Sequence, residues 1–115
     1  METNVTKDGN ALICAVSGEI DLYEAPSLLE RYRALAAREP DGAIIVDLSR
    51  SSYIDSSGIG ALFQMYSDAN ARGAAFCVCG AGGMVGKLLR LSKMTSILPN
   101  EPTLAHALRR VGGAR

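Results

Sequence analysis

Ala43-Ile44-Ile45-Val46, followed by Tyr53-Ile54-Asp55-Ser56-Ser57-Gly58-Ile59-Gly60, is the stretch from which the fold is read. The first four residues are a continuous, β-branched apolar run. That is the pattern of a strand buried on both faces, parallel and central in its sheet. Asp55-Ser56-Ser57-Gly58 then makes a turn. Beyond it Ile59, Leu62, Phe63, Tyr66 and Ala69 recur at three and four residues, which predicts an amphipathic helix closed by Gly73 at its C′ position. Ser56 or Ser57 suits its N-cap. Two hydroxyls at a helix N-terminus are poorly equipped for catalysis, but the place suits a phosphate. The helix end offers unpaired N–H groups and the positive end of a dipole. A partner surface docked there would meet new charge and bulk. Gly58 and Gly60 put no side chains beside the hydroxyls, so another protein's active site can approach. The same residues also suit a plain capped turn with close helix–sheet packing.

Upstream, Ala11 to Val16 reads as a strand ending at Ser17-Gly18. A short strand around Asn4 to Thr6 can pair with it through the turn signal Asp8-Gly9. From Pro26 the period changes: Ala25, Leu28, Leu29, Tyr32, Leu35 and Ala36 mark a helix, and Pro26 fits its first turn. Pro40-Asp41-Gly42 ends that segment. Downstream, Ala74 to Cys79 is the next strand, and Met84, Val85, Leu88, Leu89 and Leu91 mark a third helix. Ser96 to Pro99 is expected as an edge strand and Pro102 to Val111 as a closing helix. This alternation predicts an α/β fold: a mixed, mostly parallel sheet of four to five strands, with amphipathic helices packed mainly on one face.

The 115 residues suit one domain spanning 1–115, with a core from about 4 to 111, and Met1 to Gly9 and Gly112 to Arg115 are expected to be loose. Twelve basic residues balance twelve acidic ones, which argues against nucleic acid as a partner and is compatible with a monomer. Met1 to Thr6 lacks the features of a signal peptide, and no apolar run is long enough to span a bilayer. Three cysteines without a secretory signal point to reduced thiols in the cytoplasm.

Three blocks carry a resemblance: Gly18-Glu19-Ile20-Asp21 with Ala25-Pro26, Ile45-Val46-Asp47-Leu48-Ser49, and Tyr53 to Gly60. With the element order above, the chain resembles the STAS family of anti-sigma factor antagonists from about Ala11 to Val111. The resemblance implies a single STAS domain, phosphorylated on the serine directly after the motif aspartate, here Ser56. It implies an anti-sigma factor partner that is itself an ATP-dependent serine kinase. The unphosphorylated antagonist binds that kinase and frees a sigma factor, and a metal-dependent serine phosphatase resets it. On this reading Asp21, Asp55, Ser56, Ser57, Gly58 and Gly60 form the partner-binding surface. Asp21 is either a kinase contact or an N-cap of the first helix. Asp55 either orients the Ser56 hydroxyl or bonds the turn backbone. The alternative is a STAS protein of another circuit: a scaffold in a stress-sensing assembly, or an accessory subunit of a transporter.

Other signals carry less. Cys77 and Cys79 share a strand face, but with Cys14 and His106 they lack the paired spacing of a zinc site, so no metal is expected. Gly80-Ala81-Gly82-Gly83 opens a helix after a strand, yet Val85 stands where a dinucleotide fingerprint needs glycine, and no cofactor is expected. Lys87, Arg90 and Lys93 read as a solvated helix face. No Gly-x-Ser-x-Gly elbow is present and nothing brings His106 to a serine, so the chain is not expected to be an enzyme. Asp47 suits a receiver-type phospho-acceptor at a strand end, but no acidic pair accompanies it to hold magnesium.

Overall fold

A computed structural model describes residues 1–112. It opens with a hairpin: strand β1 (Glu2–Asp8) runs antiparallel to β2 (Ala11–Ile20), with Asp8 opposite Ala11 across a two-residue loop. Gly9 takes that loop's left-handed position at φ 58°, as a tight hairpin turn requires. The start of the chain, expected to be loose, is thus an edge strand. Its alternation turns Thr3 and Val5 inward, and Val5 packs against the core. Strand β2 runs beyond its apolar stretch because register irregularities between Ala15 and Ser17 and between Gly18 and Glu19 let it bend and continue.

Helix α1 (Ala25–Arg38) leads to β3 (Ala43–Ile54), α2 (Ser56–Ala71), β4 (Phe76–Cys79) and α3 (Gly83–Leu91). A 3₁₀ turn at Met94–Ser96, strand β5 (Asn100–Glu101) and helix α4 (Leu104–Gly112) complete the described chain. The five strands lie in the order β1-β2-β3-β4-β5, and β2 to β5 are mutually parallel. Strand β3 is central and parallel, as its apolar run predicts. It is also twelve residues long. Its polar second half is held by pairing with β2 as far as Ile54 opposite Ile20, a backbone effect that side-chain pattern does not announce. The edge strand expected at Ser96 to Pro99 lies further on. There Leu98 is buried, but Ile97 is 46% exposed. The Asn100 side chain donates to the carbonyls of Thr95 and Leu98, folding the segment into a turn.

One face of the sheet is covered by α1, α2 and α3. Leu28, Tyr32, Leu62, Met65, Val85 and Leu89 pack there on Val16, Ile20, Val46, Ile54 and Val78. On the other face Ala107 and Val111 of α4 cover Ala11, Ile13, Ile45, Cys77 and Cys79. Helix α2 ends as predicted. Gly73 sits at C′ with φ 74°, its N–H bonded to Asn70, while the Ala74 N–H reaches back to Ala69. Three residues assigned to inner helix faces point outward: Phe63, Met84 and Leu91 are 40%, 51% and 69% exposed. In α2 the inward positions go to Gly58, Ala61 and Met65. Among the described residues, no helix is long and apolar enough to cross a membrane.

Candidate functional site

The carboxyl ends of β2 and β3 lie side by side, and each feeds a helix on the same face. Asp55 is the hinge between them. It is the N-cap of α2, with extended backbone, and its Oδ1 accepts from the Gly58 N–H at 3.0 Å. Its carbonyl accepts the first helical bond, from Ile59, at 2.9 Å. Neither serine is therefore the cap: Ser56 and Ser57 are the first two helical residues. The aspartate wins because its carboxylate caps the helix and still has an oxygen to spare. That oxygen, Oδ2, accepts from the Leu22 N–H at 2.8 Å, and the Asp55 N–H donates to the Ile20 carbonyl at 3.2 Å. One residue thus starts α2 and fastens the loop between β2 and α1.

Asp21 organises that loop from within. Its Oδ1 accepts from the N–H groups of Tyr23 and Glu24, both at 3.0 Å, and its carbonyl accepts from Ala25 at 2.8 Å. The N-cap of α1 is Glu24, not Asp21, and its side chain makes no capping bond. The aspartate acts one turn earlier, closing the loop on itself. The result pushes two apolar side chains into solvent: Leu22 is 61% and Tyr23 85% exposed. The sequence reading passed over both. The signal was present, an apolar pair set between Asp21 and Glu24 in a segment too short to be an element.

Ser56 is exposed at the first position of α2, whereas Ser57 is half-buried. Their amides have no intrahelical carbonyl to bond, so the positive helix end is open toward the Ser56 hydroxyl. The two glycines differ. Gly58 is buried, and a Cβ there would lie 2.7 Å from Ile54 Cγ1 and closer still to the Ile20 carbonyl oxygen. Its missing side chain lets α2 sit down on the ends of β2 and β3. At Gly60 a Cβ would meet nothing within 4 Å. Gly60 and Ser57 instead line a groove between α1 and α2.

The remaining candidates are dispersed. Cys77 and Cys79 face α4, while Cys14 belongs to the cluster on the opposite side of the sheet. Burial pushes the Cys77 thiol up to about 11 and the Cys79 thiol to about 12, so neither supplies a thiolate at neutral pH. Among the described residues no group of three His, Cys, Asp or Glu side chains could hold a metal ion. Asp47 lies within β3, not at its end, with its carboxylate accepting from the Ser49 N–H. Lys87, Arg90 and Lys93 are exposed.

Fold and site define an α/β module whose distinctive surface lies where two parallel strands hand over to two helices. The chain belongs to the STAS domain family, whose model matches residues 2–107. It is 28% identical over 88 residues to an anti-sigma F factor antagonist of Paenibacillus polymyxa, covering 76% of this chain and 75% of that protein. The crystal structure of an anti-sigma factor antagonist from Mycobacterium paratuberculosis is similar with a TM-score of 0.86 at 29% identity, over 96% of this chain and 92% of that one. The Bacillus cell fate determinant SpoIIAA in its phosphorylated form shares the fold, with a TM-score of 0.70 at 17% identity over 96% of this chain and 99% of its own.

Proposed function

We propose that this protein is an anti-sigma factor antagonist switched by phosphorylation of Ser56. In its unmodified form it binds an anti-sigma factor that is also an ATP-dependent serine kinase, and this frees a sigma factor. The observation that carries the reading is the pairing of an exposed serine at the first position of α2 with the exposed Leu22 and Tyr23, whose loop is tied to the same helix start by Asp55. Apolar side chains held out by a fastened loop offer contact area at little ordering cost. The serine next to Asp55, which ties their loop, offers a place to cancel that contact.

In the transfer step the Ser56 oxygen bonds to the γ-phosphorus of ATP, the bond from that phosphorus to the bridging oxygen breaks, ADP leaves and the hydroxyl proton is released. The chain itself catalyses nothing; it accepts. Inside the chain the phosphate is tolerated by the N–H groups of the α2 start. Across an interface it adds a charge of about −1.5 to −2 next to Asp55, against whatever the partner places there. A hundredfold loss of affinity, roughly 2.7 kcal/mol, makes a usable switch. One desolvated like-charge contact supplies that much. A serine phosphatase reverses it.

Incubation with the cognate kinase and Mg-ATP should add one phosphate, and mass spectrometry should place it on Ser56. Modification of Ser57 alone would reassign the acceptor. Ser56→Ala should keep binding the kinase, and calorimetry should show the phosphorylated protein binding about a hundredfold more weakly. Equal affinity of the two forms would overturn the switch.

A further inference from the structure

The geometry points to a binding site for a small amphipathic carboxylate, an apolar chain bearing one acid group, in the groove between α1 and α2. The groove is open to solvent and offers about 450 Å³, within the roughly 300–1,000 Å³ of small-molecule sites. Its walls are apolar: Ala25, Pro26 and Leu29 on one side and Ala61 on the other, with Leu22 at the end nearest Asp55. A few polar side chains reach it, namely Ser57, Gln64 and Arg33. Mostly apolar walls with few polar groups are what small-molecule sites have in common.

Gly60 lines the groove and adds to its width. It sits inside a helix, where glycine is weaker than alanine. Neither a left-handed φ nor close packing calls for it, since a Cβ would meet nothing within 4 Å. The missing side chain leaves open space on the groove side of α2. Arg33 sets the charge of the ligand. It forms no salt bridge among the described residues. The groove's continuation beyond Leu29 and Gln64 also holds an acid, Asp68, whose Oδ2 accepts from Tyr32 and Arg72 and whose charge Arg33 feels only at longer range, without an ion pair. A carboxylate on Arg33 gains a charge-assisted bond. From Gln64 back to Ser57 helix α2 rises roughly 10 Å, the reach of a medium-length chain. Seated there, the chain's far end lies against Ser57 and Leu22, beside Ser56. A bound ligand would then compete with a kinase for that surface, a consequence that rests on the reading of Ser56 as acceptor.

The test is a ¹⁵N correlation-spectrum titration of the whole chain with sodium decanoate below its micelle concentration. Decanol and decyltrimethylammonium serve as comparators. Saturable shifts confined to residues 22–33 and 57–68 are expected, weaker with decanol and absent with the cation. Arg33→Gln should weaken binding about tenfold or more. Gly60→Leu fills the groove while favouring the helix, so it should abolish binding with a native, dispersed spectrum. Shifts that are absent, spread over the whole chain or unaltered by both variants overturn the site, as does equal affinity for the cation. A second arm measures Ser56 phosphorylation with and without decanoate. The titration uses the chain alone, so intact decanoate binding with no Ser56 phosphorylation counts against the switch and not against the groove.

Discussion

Helices α1 and α2 lie side by side, and their two ends are fastened in different ways. At the end away from Ser56, one guanidinium ties three segments together. Arg72 donates to the Tyr32 hydroxyl at 2.8 Å, to the Asp68 carboxylate at 3.0 Å and to the Pro40 carbonyl at 2.6 Å, while Tyr32 itself donates to Asp68 at 2.6 Å. The Gly73 motif closes α2 next to this knot. At the Ser56 end a single carboxylate, that of Asp55, joins the α2 start to the loop before α1. Below it the helix rests on backbone, with no side chain at Gly58. The far end is closed by redundant side-chain bonds and the near end by backbone contact and one cap. A near end built this way leaves Leu22, Tyr23 and Ser56 exposed while the core beneath stays closed.

The largest expected effect breaks the near end at its backbone contact. Gly58→Val should destabilise the fold by roughly 3 kcal/mol, since its branches would have to displace the Ile20 carbonyl and the Ile54 side chain. Gly60→Ala, two residues away, should instead stabilise by up to about 1 kcal/mol, having open space and a better helix former. Urea midpoints of the two variants measure the contrast. Equal effects at both positions would mean that the near end does not depend on close backbone approach.

Next in size is the cap. Asp55→Ala should cost about 2 kcal/mol, at the upper end for an N-cap because the same carboxylate also holds Leu22. Hydrogen exchange should show the amides of Leu22 and Gly58 losing protection while those at the Tyr32–Arg72 end keep theirs. A uniform loss across both ends would show that the two fasten each other and that the comparison is mistaken.

The far end also shows what could and could not be read from the sequence. Gly73 was legible as a helix stop because only glycine takes a left-handed C′ position at no cost. The central strand was legible from Ala43 to Val46, where side chains repeat the buried environment, and not from Ser49 to Ser52, where pairing with β2 does the work. Asp55-Ser56-Ser57-Gly58 marked the start of α2 and hence the candidate site, but local propensity alone could not choose the cap among three adjacent residues that all cap helices. The choice turned on Leu22, 33 positions away. The Tyr32–Asp68–Arg72 knot left no trace, since its members are spread over α1, α2 and the α2 C-cap and look like ordinary amphipathic and surface residues.

The smallest expected effect is a pH dependence that separates the ends. Burial, followed by the hydrogen bond to Asp68, raises the Tyr32 phenol above its ordinary value. The folded chain therefore holds that proton more tightly than the unfolded chain does. The resulting stabilisation is full below about pH 10, the unfolded phenol's range, and is lost as pH rises through the folded value. The hydrogen bonds from Tyr32 and then Arg72 hold the Asp68 carboxyl below its ordinary value. Its contribution is present above about pH 4 and is lost as pH falls. Asp68 is largely exposed and water screens its pair with Arg72, so the acid limb should be shallow. Chemical denaturation across pH should show a plateau with two limbs. Tyr32→Phe should flatten the alkaline limb and Asp68→Asn should flatten the acid one. Asp55→Ala, acting at the other end, should lower the whole curve and leave the alkaline limb's shape alone. If Tyr32→Phe keeps the alkaline limb, the far end is held by packing around the Tyr32 ring and not by the hydrogen-bonded knot, and the contrast between the ends reduces to the single cap at Asp55.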